Sequence, residues 1–452
     1  MTPSGSAKLA LTSPSGAVPT LAPAHPSVAT RVATRLSGFR SDPILFSVVL
    51  LLTALGVIMV YSSSAIFAQL KFGDSRHFLV RDLIWVTLGL CAMALTMRVD
   101  YRIYHRMAYP LLGVAFLLLC AVLVIGARRN GAQRWFSLGG LSFQPAELGK
   151  LAIVMYLAHS LSRKTDKVTR FATGFLPHLG ISAIFMLLLL KQPDLGTAVI
   201  MGGVTLALLF LAGTKLSFLL FAMLAALPIL YLKIVDTPWR LRRILAYLDP
   251  WQFRSNYGYQ MAASLIAIGS GGPLGQGLGD SKQKLFLPEA YTDYILAIIG
   301  EELGFAGICG VLLLFAVLLY RGYRAAWRAQ DLFGYYLGCG ITTMLALQAI
   351  VNAGVVLGVL PTKGLPLPLV SFGGSTLVID LAAIGILLNV SRGDAPPTPV
   401  RTARARRDRL ARPLLGWLWG SSKRRSSARR TKSSRRRSST PIAPSQKTSV
   451  LS

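Results

Sequence analysis

Residues 44–67 read ILFSVVLLLTALGVIMVYSSSAIF, a run without one charged side chain. A helix rises 1.5 Å per residue, so about 20 apolar residues cross the hydrocarbon core of a bilayer. This stretch is expected to be a transmembrane helix. Outward from it, further apolar segments follow at about 78–97, 107–126, 147–161, 175–190, 195–212, 216–235, 294–320, 332–358 and 369–390. The segment at 147–161 is short, and only Lys191-Gln192-Pro193-Asp194 separates the next two. The expected fold is therefore all-α: a polytopic integral membrane protein with about ten transmembrane helices.

Composition agrees. The 452 residues are 53% hydrophobic and 15% charged, against about 25% charged in soluble proteins. Cys91, Cys120, Cys309 and Cys339 lie far apart in apolar runs, and the five histidines are scattered. Neither pattern builds a disulfide framework or a zinc site. The net charge of +30 suggests nucleic acid until it is mapped: half of it lies from Arg392 onward, where 17 Lys/Arg face only Asp394 and Asp408. Three regions follow: a cytoplasmic leader at 1–43, expected to be disordered, a membrane domain at 44–392, and a basic tail at 393–452, also expected to be disordered. A tail tethered at the inner leaflet meets anionic lipid before nucleic acid, and Trp417 and Trp419 suit the headgroup region.

Orientation follows from the basic residues. With both termini cytoplasmic, the short inner loops carry Arg98, Arg102 and Arg106, then Arg163, Lys164, Lys167 and Arg170, then Lys215, then Arg321, Arg324 and Arg328. The large connection between the seventh and eighth segments is then extracytoplasmic. Outside lie Arg128, Arg129, Arg134 and Lys150, and a basic excess across 233–284. Either loops of this length cross regardless of charge, or the outer face meets an anionic ligand.

Among the 18 Asp and Glu, those in or beside apolar segments are functional candidates, because burying a charge in a membrane is costly. For any one of them, half of an ion pair that locks helices together is the favoured alternative. They are Glu147, Asp194, Glu289, Asp293, Glu301, Glu302 and Asp380. Pro288 suits the first turn of a helix, which would place Glu289 and Asp293 on one face near the outer mouth, with Glu301 and Glu302 deeper and paired or protonated. A boundary carboxylate beside an apolar wall has its pKa raised, as a general base requires. Glu147 and Lys150 are spaced to pair on a helix, unless Lys150 reaches across to Asp293. The prolines and glycines of 360–376 indicate broken backbone lining a cavity. The glycine-rich 269–279 segment lacks the ending of a phosphate loop.

The phrases KQKLFLPEAYTDYILAIIGEELG (282–304), NGAQRWFSLGGLSFQPAELGKLA (130–152), KQPDLGTA (191–198) and LPTKGLPLPLVSFGGS (360–375) resemble the SEDS family of polytopic cell-wall polymerases over about 44–392. Thr362-Lys363 is similar to the division members of that family more than to the elongation members, while Thr376 departs from the usual Ser-Ser ending. The resemblance implies a peptidoglycan glycosyltransferase that polymerises lipid II at the outer face of the bacterial inner membrane, at the septum. Asp293 matches the family's essential aspartate, Glu147 and Lys150 its charged pair, and Trp135 a functional tryptophan. Arg134, Lys282, Lys284, Glu289, Lys363 and Ser371 are further substrate-binding candidates. No resident cofactor or protein metal site is expected, though a divalent cation, magnesium or manganese, could serve the diphosphate. The implied partners are lipid II, a class B penicillin-binding protein and other division proteins, not nucleic acid. Two other readings share the ligand or the location: a lipid II flippase, and a scaffold that recruits a transpeptidase. An elongation polymerase is the nearest alternative within the family.

Overall fold

The computed structural model describes residues 41–129, 132–138, 141–164 and 167–392; the basic tail and, apart from residues 41–43, the leader lie outside them. Seven helical segments are long and apolar enough to cross a membrane. Helix α1 spans Pro43–Phe72 and contains the charge-free run. The Asp42 carboxylate accepts from the main-chain N–H groups of Ile44 (3.1 Å) and Leu45 (3.2 Å), satisfying donors that the first turn leaves free. Helices α2 (His77–Arg98) and α3 (Tyr101–Ile125) follow. After α4 (Pro145–Arg163), a π-helical turn at Phe171–Phe175 leads into α5 (Leu176–Lys191), then α6 (Leu195–Leu211) and α7 (Leu216–Val235). Helix α8 (Pro238–Leu248) and α9 (Tyr259–Gly271) occupy the long connection. The remainder is α10 (Ile295–Glu302), α11 (Gly304–Trp327), α12 (Leu332–Val356) and α13 (Ser375–Ser391).

Every apolar segment of the sequence contains helix, though that of the last begins only at Ser375; α4, at 19 residues, falls short of the seven in hydropathy, and α6 and α13, at 17 residues each, in length. Burial supplies the reason. Helix α4 packs against α3, α6 and α12, and nearly all its residues are buried, including Glu147, Lys150 and His159. A helix surrounded by protein need not present apolar surface to lipid, so its hydropathy is a weak guide.

Three expectations need correction. The fold is not purely α: strands β1 (Ala127–Arg129), β2 (Ala132–Leu138) and β3 (Leu141–Phe143) form an antiparallel meander before α4. The 294–320 segment is two helices, α10 and α11, because residues 272–277 insert at the junction. Gln276 and Gly277 donate main-chain N–H groups to the carbonyls of Glu301 (3.0 Å) and Glu302 (3.1 Å), while Phe305 donates to Gly272 (2.8 Å). Gly304 takes φ +68° there, a left-handed conformation that favours glycine. Finally, residues 288–293 are turns, with Glu289 at φ +58°. Glu289 and Asp293 therefore do not share a helical face. The N–H groups of Thr292, Asp293 and Tyr294 converge instead on the Glu289 carbonyl.

Candidate active site

The broken segment 357–374 joins α12 to α13 without regular structure, as its prolines and glycines imply, and packs against the 289–294 turn. Phe372 donates its N–H to the Tyr291 carbonyl at 3.0 Å. Asn352, inside α12, donates from Nδ2 to the main-chain carbonyls of both Asp293 (2.8 Å) and Leu365 (2.7 Å). One buried amide thus ties the two irregular segments together and fixes the backbone of Asp293. The side chain itself faces Gly364, where a Cβ would lie 2.9 Å from Oδ2.

The Asp293 carboxylate accepts no hydrogen bond among the described residues. Burial pushes its pKa up to about 7, and the nearby Glu289 charge adds to this, while Arg243 and Arg134 oppose it. That is the range of a general base at neutral pH. Around it lies a set of cations. Burial draws Lys363 down to about 8; Asp194 opposes the fall, while Arg240, Arg243 and Arg134 reinforce it. Arg134, on β2, donates from Nε to the Gln192 carbonyl (2.9 Å) and from Nη2 to that of Pro193, and lies 5.9 Å from the Trp135 ring centroid. Asp194 is occupied as the N-cap of α6, accepting from Thr197 N (3.2 Å), Thr197 Oγ1 (2.9 Å) and Gln144 Nε2 (3.3 Å).

Asp293, Arg134, Trp135, Glu289 and Lys363 thus share one neighbourhood, and the remaining candidates separate from it. Glu147 and Lys150 pair at 2.8 Å with side chains only 5% and 3% exposed. Lys150 acts with Glu147 on the fully buried Asp380 of α13, so the geometry gives the helix-locking pair and not the reach to Asp293. Lys284 is buried beside Glu302, at 3.8 Å. Glu302 also accepts from Ser62 of α1 at 2.6 and 2.7 Å. Glu301 receives the N–H groups of Lys282 (3.0 Å) and Gln283 (3.2 Å) and the Ser281 hydroxyl. These two glutamates anchor the 281–284 segment, which accounts for them inside the fold. Lys282 is exposed, and Ser371 accepts from Leu367 N at 2.9 Å as part of the broken segment's own structure.

Residue-by-residue reading of the sequence missed Arg240, Arg243 and Asn352. The signal for the first two was the outer charge excess combined with an i, i+3 spacing. For Asn352, an amide within an apolar run was the clue. Among the described residues no three His, Cys, Asp or Glu converge as a metal site. Divalent ions require converging oxygen donors, whereas the Asp293 carboxylate faces Gly364, with Glu289 the one nearby carboxylate acting on it among the described residues and Arg243 and Arg134 opposing that charge. The protein groups therefore do not fit a protein-held cation, and no step below passes through one.

The aromatic rings of Phe67, Phe78, Tyr291 and Phe372 cluster beside this site, with Phe78 and Tyr291 centroids 4.5 Å apart. They set an apolar cluster against the turn that carries Asp293.

Comparison with known proteins places this arrangement. Residues 42–395 match the FtsW/RodA/SpoVE cell cycle protein family. A protein of Geobacter metallireducens named probable peptidoglycan glycosyltransferase FtsW is 48% identical over 355 residues, covering 78% of this chain and 95% of its own. Stage V sporulation protein E of Bacillus subtilis is 44% identical over 354 residues, covering 78% and 97%. Among solved structures, a chain of a peptidoglycan synthase complex that coordinates polymerization and crosslinking aligns with TM-score 0.64 and 33% identity, covering 78% of this chain and 98% of that one. The rod shape determining protein RodA of Thermus thermophilus aligns with TM-score 0.57 and 30% identity, covering 78% and 97%. Both the profile over the whole membrane domain and the identity of its relatives lead to one assignment: this multi-pass membrane protein belongs to the FtsW/RodA/SpoVE family.

Proposed function

We propose that this chain is a peptidoglycan glycosyltransferase that joins lipid II units into glycan strands at the outer face of the cytoplasmic membrane during division. The observation that carries this reading is the Asp293 carboxylate: without a hydrogen bond among the described residues, held near neutral pKa, and set among cations that have no ion-pair partner within 4 Å among those residues. In the reaction, the 4-hydroxyl oxygen of the acceptor sugar attacks C1 of the donor and its proton passes to Asp293. The bond from C1 to the diphosphate oxygen breaks, and undecaprenyl diphosphate leaves with the electron pair. A base near pKa 7 is about half deprotonated at neutral pH and basic enough to take that proton, and the cations stabilise the departing charge.

This reading includes ten spans with both termini cytoplasmic, so that Asp293 and the 127–143 meander face outward. It also includes a class B penicillin-binding protein as the cross-linking partner, for which the peptidoglycan synthase complex among the structural relatives is the support. Septal rather than elongation work is favoured by the FtsW names of the relatives and by Thr362-Lys363. A flippase would need polar groups along the whole membrane path. Glu301 and Glu302 are instead consumed in holding the 281–284 segment and α1. Purified protein incubated with labelled lipid II should yield glycan polymer. Translocation of lipid II in vesicles with no polymer formed would overturn the proposal in favour of a transporter.

A further inference from the structure

Helix α1 carries Phe67 beside the active site and Pro43 at its other end, about 36 Å away at 1.5 Å per residue. At that far end the start of α1, the last turn of α11 and the end of α13 enclose a recess of about 470 Å³. It is lined by Ser41, Asp42, Arg321, Arg324, Arg328 and Ser391. The three arginines follow one another at i, i+3 and i+7 along α11 and its C-cap, so they project together. The reaction uses none of them.

Asp42 is the one carboxylate among the described residues that line the recess. Its Oδ1 is already taken by the N–H groups of Ile44 and Leu45 and by Arg321 Nη2. Its own N–H goes to Ser391 Oγ at 3.2 Å, which ties the start of the membrane domain to its end. Arg321 keeps a buried Nε without a hydrogen bond, and neither Arg324 nor Arg328 has an ion-pair partner within 4 Å among the described residues. Asp331, the next carboxylate along the chain, is engaged by Gly334 N (2.8 Å) and the Tyr101 hydroxyl (3.2 Å). Three guanidiniums thus meet one occupied carboxylate. The sequence on either side does little to neutralise them: residues 1–40 contain no Asp or Glu, and beyond Arg392 only Asp394 and Asp408 stand among many Lys and Arg. Insertion preference and the helix dipole each account for arginines at this end of α11. Neither requires them to converge on a recess with a buried Nε left unbonded.

We propose that this recess binds the phosphate group of an anionic phospholipid of the inner leaflet, through Arg324 and Arg328 with Arg321 completing the site. The leaflet follows from the orientation given above; the recess and its charge excess are independent of it. Guanidinium forks match adjacent phosphate oxygens, which sets the ligand chemistry. Apolar helix surface running from the recess selects a lipid over a soluble phosphate. Leu313 and Tyr320 are exposed on the α11 face that carries Arg324, and Ile44 and Leu51 are exposed on α1. Headgroup and acyl chain therefore both meet matching surface, as in basic pockets between transmembrane helices. A lipid held there clamps the first and last helices of the membrane domain together.

The test titrates the full chain, in a non-ionic detergent, with dioleoylphosphatidylglycerol or dioleoylphosphatidylcholine, read by native mass spectrometry, with inorganic phosphate as competitor. Wild type is compared with Arg324→Gln, Arg328→Gln, the double variant and Arg170→Gln, an exposed arginine outside the recess. One phosphatidylglycerol should bind about tenfold more tightly than phosphatidylcholine, whose choline brings a further cation into a cationic site. Arg324→Gln and Arg328→Gln should each weaken it by about tenfold, the scale of a lost charge-assisted contact, and Arg324→Lys should recover part of the loss. Arg170→Gln should stay within about twofold. Phosphatidylglycerol should also raise the melting temperature of wild type and leave that of the double variant unmoved. If Arg324→Gln fails to fold, the exposed Arg328 decides the matter. Unchanged affinity in the double variant, or in Arg328→Gln where that variant decides, would overturn the site. So would an equal loss in Arg170→Gln, which would mean diffuse attraction to a basic face, or no preference for phosphatidylglycerol. Displacement of the lipid by millimolar phosphate would assign the recess to a soluble phosphate and overturn the lipid.

Discussion

Replacing Gly364 with alanine should disable the site while sparing the fold. The added Cβ would lie 2.9 Å from Oδ2 of Asp293 and 3.7 Å from its Cγ. Ordinary carbon–oxygen contact begins near 3.4 Å, so the carboxylate must retreat by about half an ångström, a displacement reached by a small χ rotation costing about 1 kcal/mol. Gly364 is exposed and its φ is not in the left-handed region, so the backbone accepts alanine and the melting temperature should hardly move. Catalysis is less forgiving. A misplacement of about 1 Å costs on the order of a hundredfold, so half that distance should lower kcat by about tenfold. The assay is lipid II polymerisation by purified protein, with thermal stability measured in parallel. Wild-type kcat in a folded Gly364→Ala protein would refute the placement of Asp293 as the reacting group. A large drop in stability would show that the glycine has a backbone role instead.

The pH profile should be a narrow bell: activity rises as Asp293 loses its proton near pH 7 and falls as Lys363 loses its charge near pH 8. Arginine keeps its charge in this range, so Lys363→Arg, if active, should lose the alkaline limb and retain the acid one; an unchanged alkaline limb would remove Lys363. Lys150→Met leaves Glu147 and Asp380 buried without their cation, and should destabilise the protein by about 3–5 kcal/mol. The acid limb of its residual activity should stay where it was, and a shifted limb would restore direct coupling to Asp293. Gly304→Ala forces a side chain into φ +68° against the main chain of 274–275, and should cost at least about 1–2 kcal/mol in thermal unfolding.

Much of this was legible in the sequence, for identifiable reasons. Apolar runs mark helices whatever surrounds them, which is why each of the segments contains helix, one of them as two helices and the last only from Ser375 onward. Asp293, a carboxylate ahead of an apolar helix beside basic residues, stood out because such placement is costly. The prolines and glycines of 360–376 announced broken backbone. The split at Leu303–Gly304 did not show, because hydropathy continues unbroken across it and the cause is a distant segment, 272–277. The β-meander had a signal, the Asn130-Gly131 pair between β1 and β2, which favours a tight hairpin turn. Its strands are too short and too charged to register in a hydropathy scan. The choice between Lys150 on Glu147 and Lys150 on Asp293 needed three dimensions, since both distances are compatible with the spacing. Arg240 and Arg243 were visible as charge but not as site, because only their shared helix face turns them toward Lys363.

The central claim is that Asp293 removes the acceptor proton. Asp293→Asn keeps the shape of the side chain and loses the basic oxygen, so the most direct measurement is polymerisation of labelled lipid II by the purified variant, beside wild type and with lipid II binding measured on the same preparation. The account predicts a folded protein that binds lipid II with near wild-type affinity and forms no detectable glycan polymer. Polymer formed at a rate close to wild type would contradict it.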